Sequence, residues 1–347
     1  MKRLLSFALS LCMATAICVA GTVPASASDE EVIELKMACH DPSTSMMAEG
    51  LEKLSADLAE ATDGRVVIKG YYDASLGSAA DGITMLDTGV CDVLWTTTSF
   101  FAGQFPMCEI FTMPMLNPGN EQNLTNAFWD LYENHPEYFD VEFEDYVPIG
   151  LYVGGRGAFN TTFEVNGLKD YEGKTMRAVT GPLNNMANSL GINPVMMAPP
   201  DLFLSMEKGV IDGFMAPYSV VHSFSLEEVV KHSYIYGSST FDNNILILMT
   251  KDTWDKISPE DQETILSVYG REGSLYLAGI LGKQADIIEE TLGDRCTHIT
   301  EGEDFDTFSE LAKKSSLEYL DQYESDDVPT TDAYNYVLER IEYYKAQ

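Results

Sequence analysis

The chain has 347 residues, 45% of them hydrophobic and 22% charged, which supplies apolar material for about two folded domains and argues against disorder. It carries 55 Asp and Glu against 21 Lys and Arg, a formal net charge of −34. Such a surface repels nucleic acids and anionic membranes, so both are excluded as partners.

The N-terminus has the three parts of a secretory signal peptide. Lys2 and Arg3 form a basic start, an apolar stretch runs from Leu4 to Ala20, and Ala25-Ser26-Ala27 is a small-x-small cleavage site. We predict that residues 1–27 are removed on export. A membrane anchor is the alternative, but the apolar stretch is slightly short for one, and no later stretch reaches about 18 apolar residues. The mature chain is therefore expected to be exported and not membrane-inserted.

Four cysteines follow the cleavage site: Cys39, Cys91, Cys108 and Cys296. Export permits disulfides, and Cys91 and Cys108 are the nearest candidates for one. Four buried thiols are the alternative, and the sequence leaves both open. The cysteines and histidines lack zinc-site spacing, so we predict no metal.

Strands and helices alternate in the first part of the mature chain. Apolar runs predict strands at 32–39, 65–72 and 91–100. Apolar residues at helical spacing predict helices at 43–64 and 78–90. This alternation is typical of an α/β fold in which helices cover a mostly parallel sheet.

The second part of the chain repeats this alternation. A helix is predicted at 122–135. Strands are predicted at 146–155, 175–179, 193–199 and 245–250, and helices at 183–190 and 199–213.

A very long helix is predicted from Ser258, a good N-cap, to Leu292. At about 1.5 Å per residue it would span about 50 Å, more than one domain of this size needs. We therefore expect it to brace two lobes, with Gly270 among the glycines at which it could bend. Two more acidic helices are expected at 304–345.

The two groups of strands, near 32–98 and 146–250, indicate two α/β lobes with a cleft between them. We assign residues 28–152 plus 243–283 to the first lobe. Residues 153–242 plus 284–347 form the second. No Ser/Gly-rich linker separates them, so extended crossings are expected to join the lobes.

Two arginines stand at strand ends, where α/β folds bind their ligands. Arg177 ends one strand, and Gly181-Pro182 begin a helix whose free N–H groups favour an anion. An arginine and a helix N-terminus together suit one carboxylate. Arg156 follows another strand among glycines. For Arg177 an ion pair with a carboxylate of its own chain is an equal alternative, and for Arg156 a surface salt bridge is the favoured one.

Five further residues are candidates for the cleft. His40 follows the first strand and either contacts a ligand or caps the next helix. Trp95 and Thr96 end the third strand, where Trp95 is either pocket floor or core. Tyr218 and Phe241 follow strand-like runs and have the same two readings.

Enzyme motifs are lacking. The sequence has no GxSxG, HExxH, P-loop or GxGxxG, and its five histidines show no metal-binding spacing. We predict no catalytic residues, no cofactor and no metal, so the protein is not expected to be an enzyme.

The stretch 172–217 resembles the signature of the DctP family, the extracytoplasmic solute-binding proteins of TRAP transporters. That signature is a GxKxR strand, then LGAxPV, then a helix ending in GxVDG and followed by proline. The residues in step with it are Gly173, Lys174, Arg177, Leu190, Gly191, Pro194, Val195, Gly209, Asp212, Gly213 and Pro217. Further matches at 62–68, 75–77, 89–93, 105–115 and 248–262 extend the resemblance over most of the mature chain.

The resemblance implies a two-lobed, periplasmic-binding-protein-like α/β fold with a long helix bridging both lobes. It implies a monomer, in the periplasm or at the extracytoplasmic cell surface, that delivers a small organic acid to TRAP membrane subunits. Arg177 would clamp the carboxylate and Arg156 would be a second ligand arginine. By position the other cleft residues would be His40, Trp95, Thr96, Tyr218 and Phe241.

Two departures from the family pattern bear on the ligand. Ala216 stands where many relatives carry an asparagine, and Pro199-Pro200 replace a common aromatic residue. The aromatic residues available favour a monocarboxylate with an apolar or aromatic body, and a C4-dicarboxylate is the competitor. The alternatives to a TRAP protein are a component of an ATP-driven importer or sensor system, or an exported hydrolase.

Overall fold

Strands alternate with helices along most of the chain in the computed structural model, which describes residues 32–178 and 181–347. The predicted signal peptide lies outside the described residues. The strands are β1 Ile33–Ala38, β2 Val66–Tyr71, β3 Val93–Thr96, β4 Tyr146–Gly154, β5 Gly157–Thr161, β6 Thr175–Arg177, β7 Asn193–Val195, β8 Gly213–Pro217, β9 His232–Tyr236, β10 Asn243–Thr250 and β11 Cys296–Ile299. The helices are α1 Met46–Ala61, α2 Gly82–Asp87, α3 Pro106–Glu109, α4 Glu121–Asn134, α5 Gly181–Ser189, α6 Pro199–Glu207, α7 Tyr218–Ser223, α8 Lys251–Trp254, α9 Pro259–Tyr269, α10 Arg271–Leu292, α11 Glu303–Tyr323 and α12 Thr330–Lys345.

The strands of the described residues form two sheets. The first has the order β2-β1-β3-β10-β4, and the second has the order β11-β9-β5-β8-β6-β7. In the first sheet β10 runs antiparallel to both of its neighbours, and in the second β5 does the same. The other five pairings are parallel, so both sheets are mixed rather than mostly parallel as expected.

The chain passes between the sheets three times, twice through short extended crossings and once along α10, which leads from β10 to β11. β4 of the first sheet continues into β5 of the second, and β9 of the second sheet leads back into β10 of the first. The crossings lie side by side, because the N–H of Gly157 donates to the carbonyl of Phe241 at 2.7 Å and the N–H of Thr240 donates to the carbonyl of Gly157 at 3.1 Å. A Cβ on Gly157 would overlap the carbonyl oxygen of Phe241, so this close approach requires glycine.

Both faces of each sheet are covered. In β10, Leu246 and Leu248 belong to an apolar cluster with α2, α4 and α12. Ile245, Ile247 and Met249 belong to another cluster, with α1, α9 and α10. Burial on both faces explains why this strand reads as a continuous apolar run in the sequence.

The predicted long helix is two helices in the structure, so the expectation of one unbroken helix is wrong at Gly270. A Cβ there would overlap the carbonyl oxygen of Leu266 in α9. α10 alone still braces both lobes over about 33 Å. Its Leu277 packs in a cluster of the first sheet, and its Ile288 packs in a cluster of the second.

The predicted lobe boundaries stay a prediction. β4 and β10 lie in the first sheet and β5 in the second, so the crossings lie close to the predicted limits. The C-terminal helix α12 packs with α4 in a cluster of the first sheet, although residues 284–347 were assigned to the second lobe. The cysteines at 39, 91, 108 and 296 are all free thiols.

Asp130 of α4 ties together three helices. Its carboxylate accepts hydrogen bonds from Arg271 Nη1 of α10 at 2.9 Å, and from Arg340 Nε and Tyr344 Oη of α12, both at 2.7 Å. Burial alone would raise the pKa of Asp130, but the hydrogen bonds from Tyr344, Arg271 and Arg340 outweigh it and lower the pKa. We expect Asp130→Ala to reduce the free energy of unfolding by about 2 kcal/mol, measured by urea denaturation.

A lowered carboxyl pKa also fixes the pH dependence of this contribution. The stabilisation is fully present above the unfolded-state pKa of about 3.9 and is lost as pH falls through the lower folded-state value. The exposed pair of Lys314 and Glu318 is the control, because its loss should leave stability nearly unchanged. Equal stability of Asp130→Ala and the wild type would refute this role of Asp130.

Candidate functional site

Arg177 is a buried cation without an anionic partner among the described residues. It ends β6, between β7 and β8, and is 3% exposed. Its Nε donates to the carbonyl of Met197 and its Nη1 to the carbonyl of Met215, both at 3.1 Å, which fixes the direction of the guanidinium. Burial lowers its pKa to about 10, so it remains charged at neutral pH.

A hollow of about 400 Å³, which includes space open to solvent, lies beside this guanidinium. Much of its wall is apolar and comes from both lobes: Phe100, Leu183, Pro199, Pro217, Val220 and Phe241. Phe100 follows β3 of the first sheet, whereas Leu183 lies on α5 and packs with the second sheet. The hollow therefore lies between the lobes, and their separation would open it.

A polar edge of the same hollow is formed by Thr97, Ser99 and Asn243. Thr97 Oγ1 donates to Asn243 Oδ1 at 2.8 Å, which joins the end of β3 to the start of β10. None of these three residues was predicted from the sequence as a site residue. The polar run 96–99 directly after an apolar strand was the available signal, because ligands of α/β sheets collect at such ends.

His40 lies at the hollow and is neutral. Its ring contacts those of Trp95 and Phe100, at centroid distances of 4.9 and 5.1 Å. Part of its surface is open, yet the surrounding atoms enclose the imidazole and lower its pKa to about 4. At neutral pH it can exchange hydrogen bonds with a ligand but adds no charge.

A second, smaller hollow, of about 260 Å³ including space open to solvent, shares His40 with the first. Trp95 and Thr96 line it. The indole N–H of Trp95 donates to the hydroxyl of Tyr152 in the core. Thr96 Oγ1 is buried and has no hydrogen-bond partner among the described residues.

Tyr218 lines neither hollow. It is the first residue of α7, and its side chain is fully buried. Its hydroxyl is 2.6 Å from Ser233 Oγ and 3.2 Å from Cys296 Sγ, so its hydrogen bonds are made inside the second lobe.

Arg156 also lies away from both hollows, in the crossing between β4 and β5. It forms ion pairs with Glu289 at 2.7 Å and Asp286 at 3.1 Å, both on α10, and lies 3.8 Å from Glu121. The structure thus brings Arg177, His40 and Phe241 together. The ligand-binding roles of all seven predicted site residues stay predictions.

The N-terminus of α5, predicted to share in anion binding, meets a side chain of the first lobe. Glu109 Oε2 is 3.5 Å from the point at which a Cβ of Gly181 would stand. Among the described residues no group of three potential ligands could hold a metal ion. None of the helices in that part of the chain has the length and apolarity needed to cross a membrane.

Two covered sheets, paired crossings, a bracing helix and a hollow between lobes define the two-lobed fold of solute-binding proteins. A TRAP solute binding protein from a marine metagenome, specific for aromatic acid ligands, has this fold with a TM-score of 0.82 at 20% identity, over 90% of this chain and 99% of that one. A TRAP solute binding protein from Rhodoferax ferrireducens T118, in complex with copurified benzoate, has a TM-score of 0.81 at 21% identity, over 91% and 99%.

The chain belongs to the bacterial extracellular solute-binding proteins, family 7 (DctP), whose family model matches residues 37–322. It is 26% identical over 215 residues to a solute-binding protein of Roseobacter denitrificans, which is 62% of this chain. The match spans 65% of that relative's length. The family comprises extracytoplasmic binding proteins and not enzymes.

Proposed function

We propose that this protein captures a monocarboxylic acid with an apolar or aromatic body and delivers it to TRAP membrane subunits. The main structural support is Arg177, whose charged guanidinium is buried beside a largely apolar hollow. It has no carboxylate partner among the described residues. Burying an unpaired charge is costly, and a ligand carboxylate would supply the missing partner.

The negative charge of the whole protein does not prevent this local attraction. The net charge of −34 repels anions at a distance, but salt screens exposed charges over about 8–10 Å. At contact distance in a site without water, pairing of opposite charges is much stronger. A small acid that reaches the hollow should therefore bind by its carboxylate.

The charges around the hollow favour one carboxylate over two. Arg177 is the one cationic side chain among the described residues that line it, and His40 is neutral at pH 7. Asp242 adds a further acid to the lining. Arg156 is engaged by carboxylates of α10. The second carboxylate of a C4-dicarboxylate would have no cation to pair with.

The ligands of two solved relatives support the same ligand class. One is a protein specific for aromatic acid ligands, and another holds copurified benzoate. We infer delivery to TRAP membrane subunits because both of these relatives are TRAP solute binding proteins. Uptake of labelled ligand by cells that hold this protein and its membrane subunits should follow an ion gradient. Dependence on ATP alone would favour an ATP-driven importer.

Matched ligands test the capture step. We expect benzoate to raise the melting temperature, because it combines one carboxylate with an apolar ring. At 100 times the dissociation constant the gain is about 2.7 kcal/mol. Benzamide lacks the charge and phthalate carries a second one, so neither should stabilise the protein. Binding of succinate in place of benzoate would overturn the proposed ligand class.

A further inference from the structure

Glu109 of the first lobe approaches the start of α5 in the second lobe. It ends α3, whose neighbours Met107 and Cys108 are buried in a cluster of the first sheet. Its carboxyl reaches towards Gly181, the first residue of α5, which packs on the second sheet. α5 also carries Leu183, which lines the hollow beside Arg177.

The carboxyl of Glu109 is fully buried but only partly hydrogen-bonded. Oε1 accepts from the N–H of Gly103 at 2.9 Å. Oε2 has no hydrogen-bond partner among the described residues, and neither has the nearby buried hydroxyl of Tyr319 on α11. A side chain at Gly181 would stand 2.7 Å from the Tyr319 ring, so glycine leaves room for this contact.

An ionised carboxylate is unfavourable in such a place. Burial removes the carboxyl from bulk solvent, and Glu109 forms no ion pair among the described residues. The N–H of Gly103, the Tyr319 hydroxyl and the N–H of Gly181 at the helix start offset part of this cost. Burial outweighs them and raises the pKa of Glu109 from 4.5 to about 7.

We propose that Glu109 couples closure of the two lobes over the ligand hollow to the uptake of a proton. Protonated Glu109 fits the contact between α3 and α5, whereas ionised Glu109 is better hydrated once the lobes separate. Since α5 carries part of the hollow, the same contact adjusts ligand affinity. This last step rests on the proposed function, but the closure itself does not.

The raised pKa of Glu109 fixes the direction in which closure depends on pH. Protonation of Glu109 favours closure most strongly below the open-state pKa of about 4.5. This contribution to closure is lost as pH rises through about 7. The other titratable groups around Glu109 are Glu142, Cys108, Tyr319 and Tyr323. Burial raises the pKa of Glu142 to about 8, and each of the other three also has a raised pKa.

Three further groups titrate near the hollow. Burial raises the pKa of Asp41 and of Asp242 to about 7 and lowers that of His40 to about 4. Protonation of His40 in the open form opposes closure at low pH. The role of Glu109 is therefore measured as a difference between variants rather than from the wild-type profile alone.

Glu109→Gln is the direct test, because glutamine resembles the protonated acid in shape. We expect the ratio of wild-type to variant benzoate Kd to rise about tenfold between pH 6 and pH 8, by titration calorimetry. The variant should bind more tightly than the wild type at pH 8. Weaker binding by the variant at every pH, or parallel pH profiles, would overturn the proposal.

Glu142→Gln is the matched control. Its carboxyl is also buried, but it accepts from the N–H groups of Met107 and Cys108 within the first lobe. We expect it to leave the pH dependence of benzoate affinity as in the wild type. The same change in both variants would show a general effect of buried charge and refute a specific role for Glu109.

Two further measurements test the link between protonation of Glu109 and closure of the lobes. Tyr319→Phe removes a group that lowers the pKa of Glu109, so the pH midpoint should move upward. In ligand-free protein, small-angle scattering should show the wild-type radius of gyration rising from pH 6 to pH 8, and that of Glu109→Gln unchanged. A constant wild-type radius would refute the coupling. Absent benzoate binding together with the expected radii would refute only the proposed ligand.

Discussion

Replacing Arg177 with methionine is expected to weaken benzoate binding strongly. The ligand carboxylate would then be buried without a cation, which costs about 2–5 kcal/mol, or roughly 30-fold to several thousand-fold in Kd. The stability of the ligand-free protein should change by less than about 1 kcal/mol, since loss of a buried cation offsets loss of its hydrogen bonds to Met197 and Met215.

Titration calorimetry and urea unfolding of the same preparations measure the two effects. Arg177→Lys is the control, because lysine keeps the charge but cannot form the paired hydrogen bonds of a guanidinium. We expect an intermediate loss, of about tenfold in Kd. If Arg177→Met bound benzoate within threefold of the wild type, the arginine clamp would be refuted.

Replacing Gly157 with valine is expected to cause the largest loss of stability, about 3 kcal/mol or more. Its Cβ would overlap the carbonyl oxygen of Phe241 in the neighbouring crossing, and backbone cannot move aside as a side chain can. Ligand affinity should fall as well, because Phe241 lines the hollow. Urea unfolding and benzoate titration measure both consequences.

Gly279 provides the matched control for this substitution. It lies inside α10 with Gln122 Nε2 3.6 Å from the position of a Cβ, so a methyl group fits. Gly279→Ala should stabilise the protein by about 0.5–1 kcal/mol, since alanine favours a helix. A Gly157→Val variant as stable as the wild type would show that the crossings can move apart without cost.

The local sequence pattern predicted those strands and helices whose formation depends on residues near them in the chain. The unit of β1, α1 and β2 was predicted because its apolar spacing and its stop at Gly64 are local signals. β5 and β11 were missed, and β9 was indicated only as a strand-like run before Phe241. β5 is a short strand that is held by pairing with β8 and β9, more than fifty residues further along the chain, and no local pattern records such pairing.

The two arginines also show that contacts between residues far apart in the chain could not be predicted from the local sequence. Arg177 and Arg156 both stand at the end of a strand, and the sequence predicted both as ligand-binding residues. Their environments differ because Glu289, 133 residues further along, pairs with Arg156, whereas no described carboxylate pairs with Arg177. The hydroxyl of Tyr218 likewise meets distant residues, Ser233 and Cys296.

The place of β10 in the first sheet has a consequence for how the protein acquires its structure. β10 lies between β3 and β4, although it begins 147 residues after the end of β3 and 89 residues after the end of β4. Until Asn243–Thr250 arrives, β3 and β4 each expose an unpaired edge, which is a template for aggregation. A chain cut before Asn243 should not fold its first lobe, and during synthesis that lobe must wait for most of the second.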